Sequence, residues 1–211
     1  MAQINTGLRS FLKYTPIYQG FQRALGSLRA QRILAEEYIA PGPKDRVLDI
    51  GCGPAGILHH LPDCNYVGID PNTNYIDAAK AEFGERGTFV VGDIHSTGIP
   101  DGQGFNIICA LGVLHHLDDE EASALCAFAA RYLAPGGKFV TTDVVILQNQ
   151  RWIARMLAVN DRGQNVRRPE AYRSLVDSCF QEVSEKIWHD VYRVPYDANI
   201  MTCRSPKPQA S

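Results

Sequence analysis

The stretch Val47-Leu48-Asp49-Ile50-Gly51-Cys52-Gly53-Pro54-Ala55-Gly56 constrains this chain more than any other. It passes from an apolar segment directly into a glycine-rich turn, and in open α/β sheets ligands bind just there, outside the carboxyl ends of the strands. Glycine permits both the tight turn and a close approach of backbone to ligand. Around this stretch the apolar runs RVLDI, NYVGI, TFVVG, FNIICAL and KFVTTDVVIL alternate with helix-like segments such as NTNYIDAAKAEF and DEEASALCAFAARYL. That alternation predicts an α/β fold: a doubly wound, mostly parallel sheet with helices on both faces, whose strands read as nearly continuous hydrophobic runs. With 211 residues, 45% of them hydrophobic, the chain can bury one core and carry extensions to it.

The segments outside that alternation are shorter on signal. Ahead of it, Leu25, Leu28, Arg32, Ala35, Tyr38 and Ile39 fall at helical spacing, which predicts one or two helices before the first strand. Their apolar stripe either packs on the sheet or, with Phe11, Tyr14, Tyr18 and Phe21, forms a lid over a ligand. Asp118 to Glu121 suit a helix N-terminus, and Pro135-Gly136-Gly137 are expected to end that helix. After KFVTTDVVIL come a helix in QNQRWIARMLAV, a loop in DRGQNVRRP, and a helix opening at Pro169. Two closing strands are expected in EVSEKIWHD and around YDANIMTCR, and residues 205–211 are expected to fray.

Charge narrows the partners. Lys plus Arg number 21 and Asp plus Glu 23, so no general basic field is present to hold a nucleic acid. The distribution is uneven: residues 1–46 carry 7 bases and 3 acids, residues 47–150 carry 4 and 13, and residues 151–211 carry 10 and 7. An acidic middle suits solvated helix faces, and it also suits a cationic ligand. No apolar run reaches the roughly 18 to 20 residues of a membrane span, and the opening lacks the apolar core of a secretory signal, which points to the cytoplasm. The six cysteines form no C-x-x-C pair and no Cys/His metal spacing, so they read as reduced thiols with no metal.

Three carboxylates then separate the ligand classes. Asp70 closes the next apolar run 19 residues after Gly51, where an acid can accept two hydrogen bonds from a ribose diol. Asp93 closes the third run, and Asp49 lies two residues before the first glycine. Gly51, Gly53 and Gly56 formally satisfy G-x-G-x-x-G, yet acids ringing the loop would repel a pyrophosphate, whereas an ammonium and a sulfonium welcome them. Each acid also has a local reading: Asp49 as the acceptor that fixes the glycine turn, Asp70 as a turn or cap residue before Pro71-Asn72, Asp93 as a loop cap.

Taken in order, VLDIGCGPAG, VGID, VGDIH, FNIICALGVLHHLDD and LAPGGKFV resemble the motifs of the class I S-adenosylmethionine-dependent methyltransferases, over about residues 44–145. The resemblance implies a seven-stranded Rossmann-like sheet whose last strand is antiparallel, with 1–42 as a helical cap, 43–204 as the methyltransferase domain and 144–168 as an insertion able to bind the acceptor. S-adenosyl-L-methionine is the implied cofactor. By the same resemblance, Gly51, Cys52 and Gly53 lie against its methionine part with Asp49 near the amino group. Asp70, followed by Pro71, holds the ribose; Asp93 and Ile94 meet the adenine; Leu111 sits near the sulfonium.

Methyl transfer from a sulfonium needs a base only where the acceptor is protonated and weakly nucleophilic, as a hydroxyl is. Candidates stand in Leu114-His115-His116-Leu117-Asp118, with His115 ahead of His116, although either histidine also reads as a hydrogen-bonded loop residue. Arg162, Arg167 and Arg168 could bind an anionic acceptor bidentately, or could simply bridge to local acids. Tyr14, Tyr18, Trp152, Tyr172 and Tyr196 are further pocket candidates. The segment ALGVLHH stands where an N-P-P-Y or D-P-P-Y run often marks amino-nitrogen substrates, which favours an oxygen acceptor on a small, anionic or sugar-like molecule. Nitrogen and carbon acceptors, a binding protein without turnover, and a nicotinamide-dependent oxidoreductase are the competing readings, and the oligomeric state is open.

Overall fold

The computed structural model describes residues 27–96, 104–160, 165–189 and 196–208. Tyr14, Tyr18 and Arg162, and with them the aromatic lid, lie outside the described residues. Seven strands form one sheet: β1 (Arg46–Ile50), β2 (Asn65–Asp70), β3 (Gly87–Val91), β4 (Phe105–Leu111), β5 (Leu133–Val144), β6 (Phe180–Trp188) and β7 (Ala198–Pro206). Their order is β3-β2-β1-β4-β5-β7-β6, parallel throughout except for β7, which runs antiparallel between β5 and β6. The order reverses beside β1, so the loops after β1 and β4 open onto one crevice.

Both faces of the sheet are covered, as the unbroken apolar runs require. On one face Leu48, Ile69 and Ile108 meet Leu125 and Ala129 of α3 (Asp119–Tyr132) and Val176 of α5 (Pro169–Asp177). On the other, Val47, Ile107 and Val140 meet Leu34 and Ala35, and Ile76 of α2 (Thr73–Phe83). Leu34 and Ala35 belong to the π-helical continuation Leu34–Ile39 of α1 (Ser27–Ile33), so this helix packs on the sheet as core. Leu28, expected on the same stripe, is exposed. Asp118 caps α3 through a complete capping box with Glu121, the reciprocal pairing that an acid followed three residues later by Glu makes available.

Two boundaries differ from the sequence reading. Pro135-Gly136-Gly137 do not stop α3, which ends at Tyr132; they form an irregular entry to β5. Leu133 pairs with Phe105 and Lys138 with Ile107, so the extra residues bulge out, and a Cβ on Gly137 would stand 2.9 Å from both Ala134 O and Asn106 O. The expected frayed end is tied down at its start: Ser205 Oγ bonds Glu182, and Lys207 donates from its backbone N to Cys179 O and from Nζ to Asp177 O. Within the insertion, α4 (Trp152–Val159) buries Ala154 and Ala158 and leaves Trp152, Met156 and Val159 exposed. Trp152, a pocket candidate, is therefore exposed in the described structure. Among the described residues no helix is long and apolar enough to cross a membrane.

Candidate active site

Because β1, β2, β4 and β5 are parallel, their C-terminal ends share one edge of the sheet, and most of the predicted residues gather there. The glycine turn after β1 is fastened to β2: Gly51 N and Cys52 N both donate to Ile69 O, and Gly53 N donates to Asp70 Oδ2 at 3.0 Å. Gly51 and Gly53 have φ of 70° and 54°, a region that disfavours a side chain. A Cβ on Gly51 would press into Val113, which ties the turn to the end of β4, whereas a Cβ on Gly53 would meet nothing within 4 Å. Among the described residues nothing covers the bare backbone of Gly53. Cys52 folds its sulfur back over Gly68 of β2, whose missing Cβ would stand 2.8 Å from it.

Asp70 is buried and uses both oxygens locally, Oδ2 on Gly53 N and Oδ1 on Asn72 N at 2.8 Å, where it leads into the Asn72 cap of α2. An ionised carboxylate offers about four acceptor positions, so two remain for a diol. Burial raises its pKa, and the two backbone donors pull it back. Asp49, expected as one possible anchor of the glycine turn, bonds Tyr66 instead: the phenol donates to Oδ2 at 2.6 Å. Its Oδ1 is buried with no partner. Burial pushes the Asp49 carboxyl up to about 7, against the pull of the Tyr66 hydrogen bond and with a further push from Asp70. An unpaired, buried carboxylate oxygen is costly. A cation beside it would remove that cost, which is what an amino acid's ammonium supplies.

Beyond β3 the third acid is different. Asp93 is exposed, and its Oδ1 accepts from His95 N, Ser96 N and Ser96 Oγ, so it organises its own loop. The Ser96 hydroxyl is the main reason its carboxyl lies below the ordinary range. Oδ2 makes no hydrogen bond among the described residues. Ile94 is half-buried against the core, Pro71 is exposed, and Leu111 is half-buried at the end of β4.

The acceptor side is built from side chains. After β4 the turn Leu114–His116 buries His115, while His116 is partly exposed with its ring 4.1 Å away. His115 Nδ1 lies 2.8 Å from Asp143 Oδ1 of β5, and His115 N donates to the same oxygen at 3.1 Å. Asp143 escaped the sequence reading because it sits inside the apolar run KFVTTDVVIL; an acid in a doubly covered strand was the available signal. Burial raises the pKa of Asp143, and the His115 hydrogen bond lowers it. Tyr66, Asp197 and Gln150 were also missed. Asp197 pairs with His189 at 2.7 Å and with Gln150 at 2.8 Å, beside the half-buried Tyr196, at the edge where Val144 ends β5.

Arg167 is corrected by the structure. Its guanidinium donates to Leu114 O (2.7 Å), Leu117 O (2.8 Å), Asn165 O (3.2 Å) and Asp119 Oδ1 (2.9 Å from Nε, 2.7 Å from the terminal nitrogen), which consumes its five donors. None remains for an anionic acceptor. Arg167 is instead a clamp that joins the insertion to the turn bearing His115. Tyr172, likewise a pocket candidate, is fully buried and donates to Val144 O.

The comparisons with known proteins bear on the domain and its fold. Residues 47–137 match the family model described as a methyltransferase domain. This region, less than half of the chain, is similar to methyltransferase domains and supports reading the chain as a class I S-adenosylmethionine-dependent methyltransferase. Among curated members it is 28% identical to phosphoethanolamine N-methyltransferase 3 of Arabidopsis thaliana, over 78% of this chain and 39% of that protein. It is 32% identical to 27-O-demethylrifamycin SV methyltransferase of Amycolatopsis mediterranei, over 49% of this chain and 40% of that one. The chain thus spans about two fifths of the length of these methyltransferases. Of solved structures, phosphoethanolamine N-methyltransferase 2 of Haemonchus contortus, in complex with phosphomonomethylethanolamine and S-adenosylhomocysteine, superposes with a TM-score of 0.70 at 15% identity, over 96% of this chain and 61% of that one. At that identity the likeness speaks for the shared methyltransferase fold.

Proposed function

We propose that this chain binds S-adenosylmethionine and moves its methyl group to a hydroxyl oxygen of a small molecule. The cofactor reading rests on the fit of the β1–β3 edge: the orphaned Asp49 Oδ1 for an ammonium, the open backbone at Gly53 for the methionine part, the spare acceptor positions of Asp70 for the ribose, and Asp93 Oδ2 with Ile94 for the adenine. When bound, the cofactor supplies a methyl carbon already activated by a sulfonium, whose C–S electron pair stays on sulfur as the new bond to the acceptor forms. The chain's own task is to hold the acceptor in line and exclude water, a contribution worth about 7 to 11 kcal/mol in favourable cases.

The observation that carries the oxygen assignment is the buried His115 ring, turned by Asp143 so that Nδ1 faces β5. A proton on Nδ1 leaves the basic lone pair on Nε2, and a hydroxyl is the acceptor that needs a base. An amino nitrogen, the second reading, is favoured by the names of the phosphoethanolamine relatives; the engagement of Arg167 takes away one candidate for the phosphate such a substrate carries.

The test has two stages. S-adenosylhomocysteine should raise the melting temperature and NAD should not. A panel of phenols and sugars, with phosphoethanolamine as the amino-nitrogen probe, should then release S-adenosylhomocysteine from S-adenosylmethionine, and His115→Gln should slow the productive reaction by about 10²- to 10⁴-fold while cofactor affinity stays within a few-fold. Turnover on phosphoethanolamine alone, or an undiminished rate in His115→Gln, would overturn the oxygen reading.

A further inference from the structure

Asp143 is buried in the middle of the sheet, its side chain only 2% exposed, and its ion pair is with His115 alone among the described residues. One oxygen, Oδ1, accepts from the His115 backbone N and lies 2.8 Å from its Nδ1. The other, Oδ2, is buried without a partner. So are two neutral groups nearby: Thr141 Oγ1, two residues earlier on the same face of β5, and Oδ1 of Asn199, the cross-strand partner of Asp143 on β7. Nδ2 of that amide donates to Glu185 at 2.8 Å. Among the described residues no lysine or arginine lies within ion-pair distance of Asp143. Arg167 is bound to the carbonyls of Leu114 and Leu117 and to Asp119, and the ring of His116 lies 4.1 Å from that of His115.

We infer that Asp143 is the positioning residue of the reaction: it fixes the His115 ring with Nδ1–H toward β5 and Nε2 toward the acceptor, and its charge stabilises the imidazolium formed there. The inference rests on His115 being the base. In proton terms, the acceptor O–H proton passes to Nε2, the ring becomes a cation hydrogen-bonded to a buried anion, and the proton then leaves Nε2 for solvent. Asp143 keeps its own charge throughout. A carboxylate in this place carries a desolvation cost that the packing of the strand alone does not require. An asparagine would suit the fold better: its Oδ1 could accept both His115 bonds, and its Nδ2 could donate toward Asn199 Oδ1 or Thr141 Oγ1.

That contrast supplies the experiment. Asp143→Asn removes the charge and keeps the shape. The melting temperature of the ligand-free protein and its affinity for S-adenosylhomocysteine should be unchanged or improved. The NMR titration midpoint of His115 should move to lower pH by about one unit or more, since an opposite charge within hydrogen-bond reach favours the charged form by that much. Turnover on the best acceptor of the panel should fall about 10²-fold or more, and the acid limb of its pH profile should shift with the His115 midpoint. A His115 midpoint that stays in place would overturn the inference. In the unsubstituted protein, nitrogen-15 shifts should report the Nδ1–H tautomer of neutral His115; an Nε2–H tautomer would overturn it with no variant needed. Failure of the base reading looks different: His115→Gln would then keep its rate, whatever Asp143→Asn does to the titration.

Discussion

The two halves of the crevice edge are held by opposite means. From β1 to β3 the chain folds back on its own backbone: Ile69 O takes two loop N–H groups, Asp70 takes two more, and Gly51 and Gly53 supply the unusual φ. From β4 to β5 the edge is fixed by long-range side chains, with Arg167 gripping Leu114 O and Leu117 O, and Asp143 gripping the backbone N and Nδ1 of His115. A backbone-built half can be copied wherever the local sequence recurs. A half built from side chains can be re-cut by changing single residues without disturbing the other, and this is where a catalyst must differ from its relatives.

If the halves are independent, breaking the clamp should cost stability and spare the cofactor side. Arg167→Ala leaves two buried carbonyls without a donor, at about 1 to 3 kcal/mol each, so a loss of about 3 kcal/mol is expected in urea denaturation with an unchanged slope. The exposed Asp119 adds little to that sum. Arg167→Lys should recover only a small part, since an ammonium cannot fork to both carbonyls. A fall in S-adenosylhomocysteine affinity larger than the fall in stability would show the halves to be coupled.

Asp70→Ala should do the converse. Cofactor affinity by calorimetry should drop about 10²-fold, for the loss of roughly two charge-assisted bonds to a diol. Folding should also lose about 1 to 2 kcal/mol, because the carboxylate anchors Gly53 and Asn72 as well.

A smaller effect comes from Asp49. Its carboxyl, raised from 3.8 to about 7, holds its proton in the fold over a range where the unfolded chain has lost it. In the ligand-free protein, this group therefore makes stability decline as pH rises from about 4 to about 7, and not beyond. An ammonium ligand favours the ionised form, so S-adenosylhomocysteine should bind more tightly as pH rises, by up to about tenfold per unit, levelling off near 7. Tyr66→Phe deletes the hydrogen bond that lowers this pKa, and the plateau should move to higher pH. A flat affinity profile between pH 5 and 8 would remove Asp49 from the ammonium site. The smallest effect is expected on the outer face of the insertion, where Trp152→Ser should alter neither affinity nor stability by more than about 0.5 kcal/mol.

The same division explains what the sequence could tell. Strand ends β1 to β5, the glycine turn and the three acids were readable because each lies next to the signal that announces it: an apolar run, then Gly or Asp. The antiparallel β7 was expected from two closing apolar stretches and from the family pattern. Asp143 was not readable, because its significance lies 28 positions away at His115. Arg167 was misread for a similar reason: a cluster of guanidinium groups is the same string whether it meets a substrate anion or the carbonyls of Leu114 and Leu117, 53 and 50 residues earlier. Tyr66 looked like any strand aromatic until its hydroxyl was found on Asp49. Pro135-Gly136-Gly137 misled locally, since the same residues that stop a helix also make a bulge.

The sulfur of Cys52 occupies the space that a methyl on Gly68 would need, and the Tyr66 ring closes in at 3.1 Å from the other side. Positions 52, 66 and 68 are consequently free to drift only as a trio. A lineage that acquires alanine at 68 must shed bulk at 52 or turn the ring at 66, and turning that ring carries its hydroxyl away from Asp49. Covariation across these three positions is the trace such packing would leave in descent.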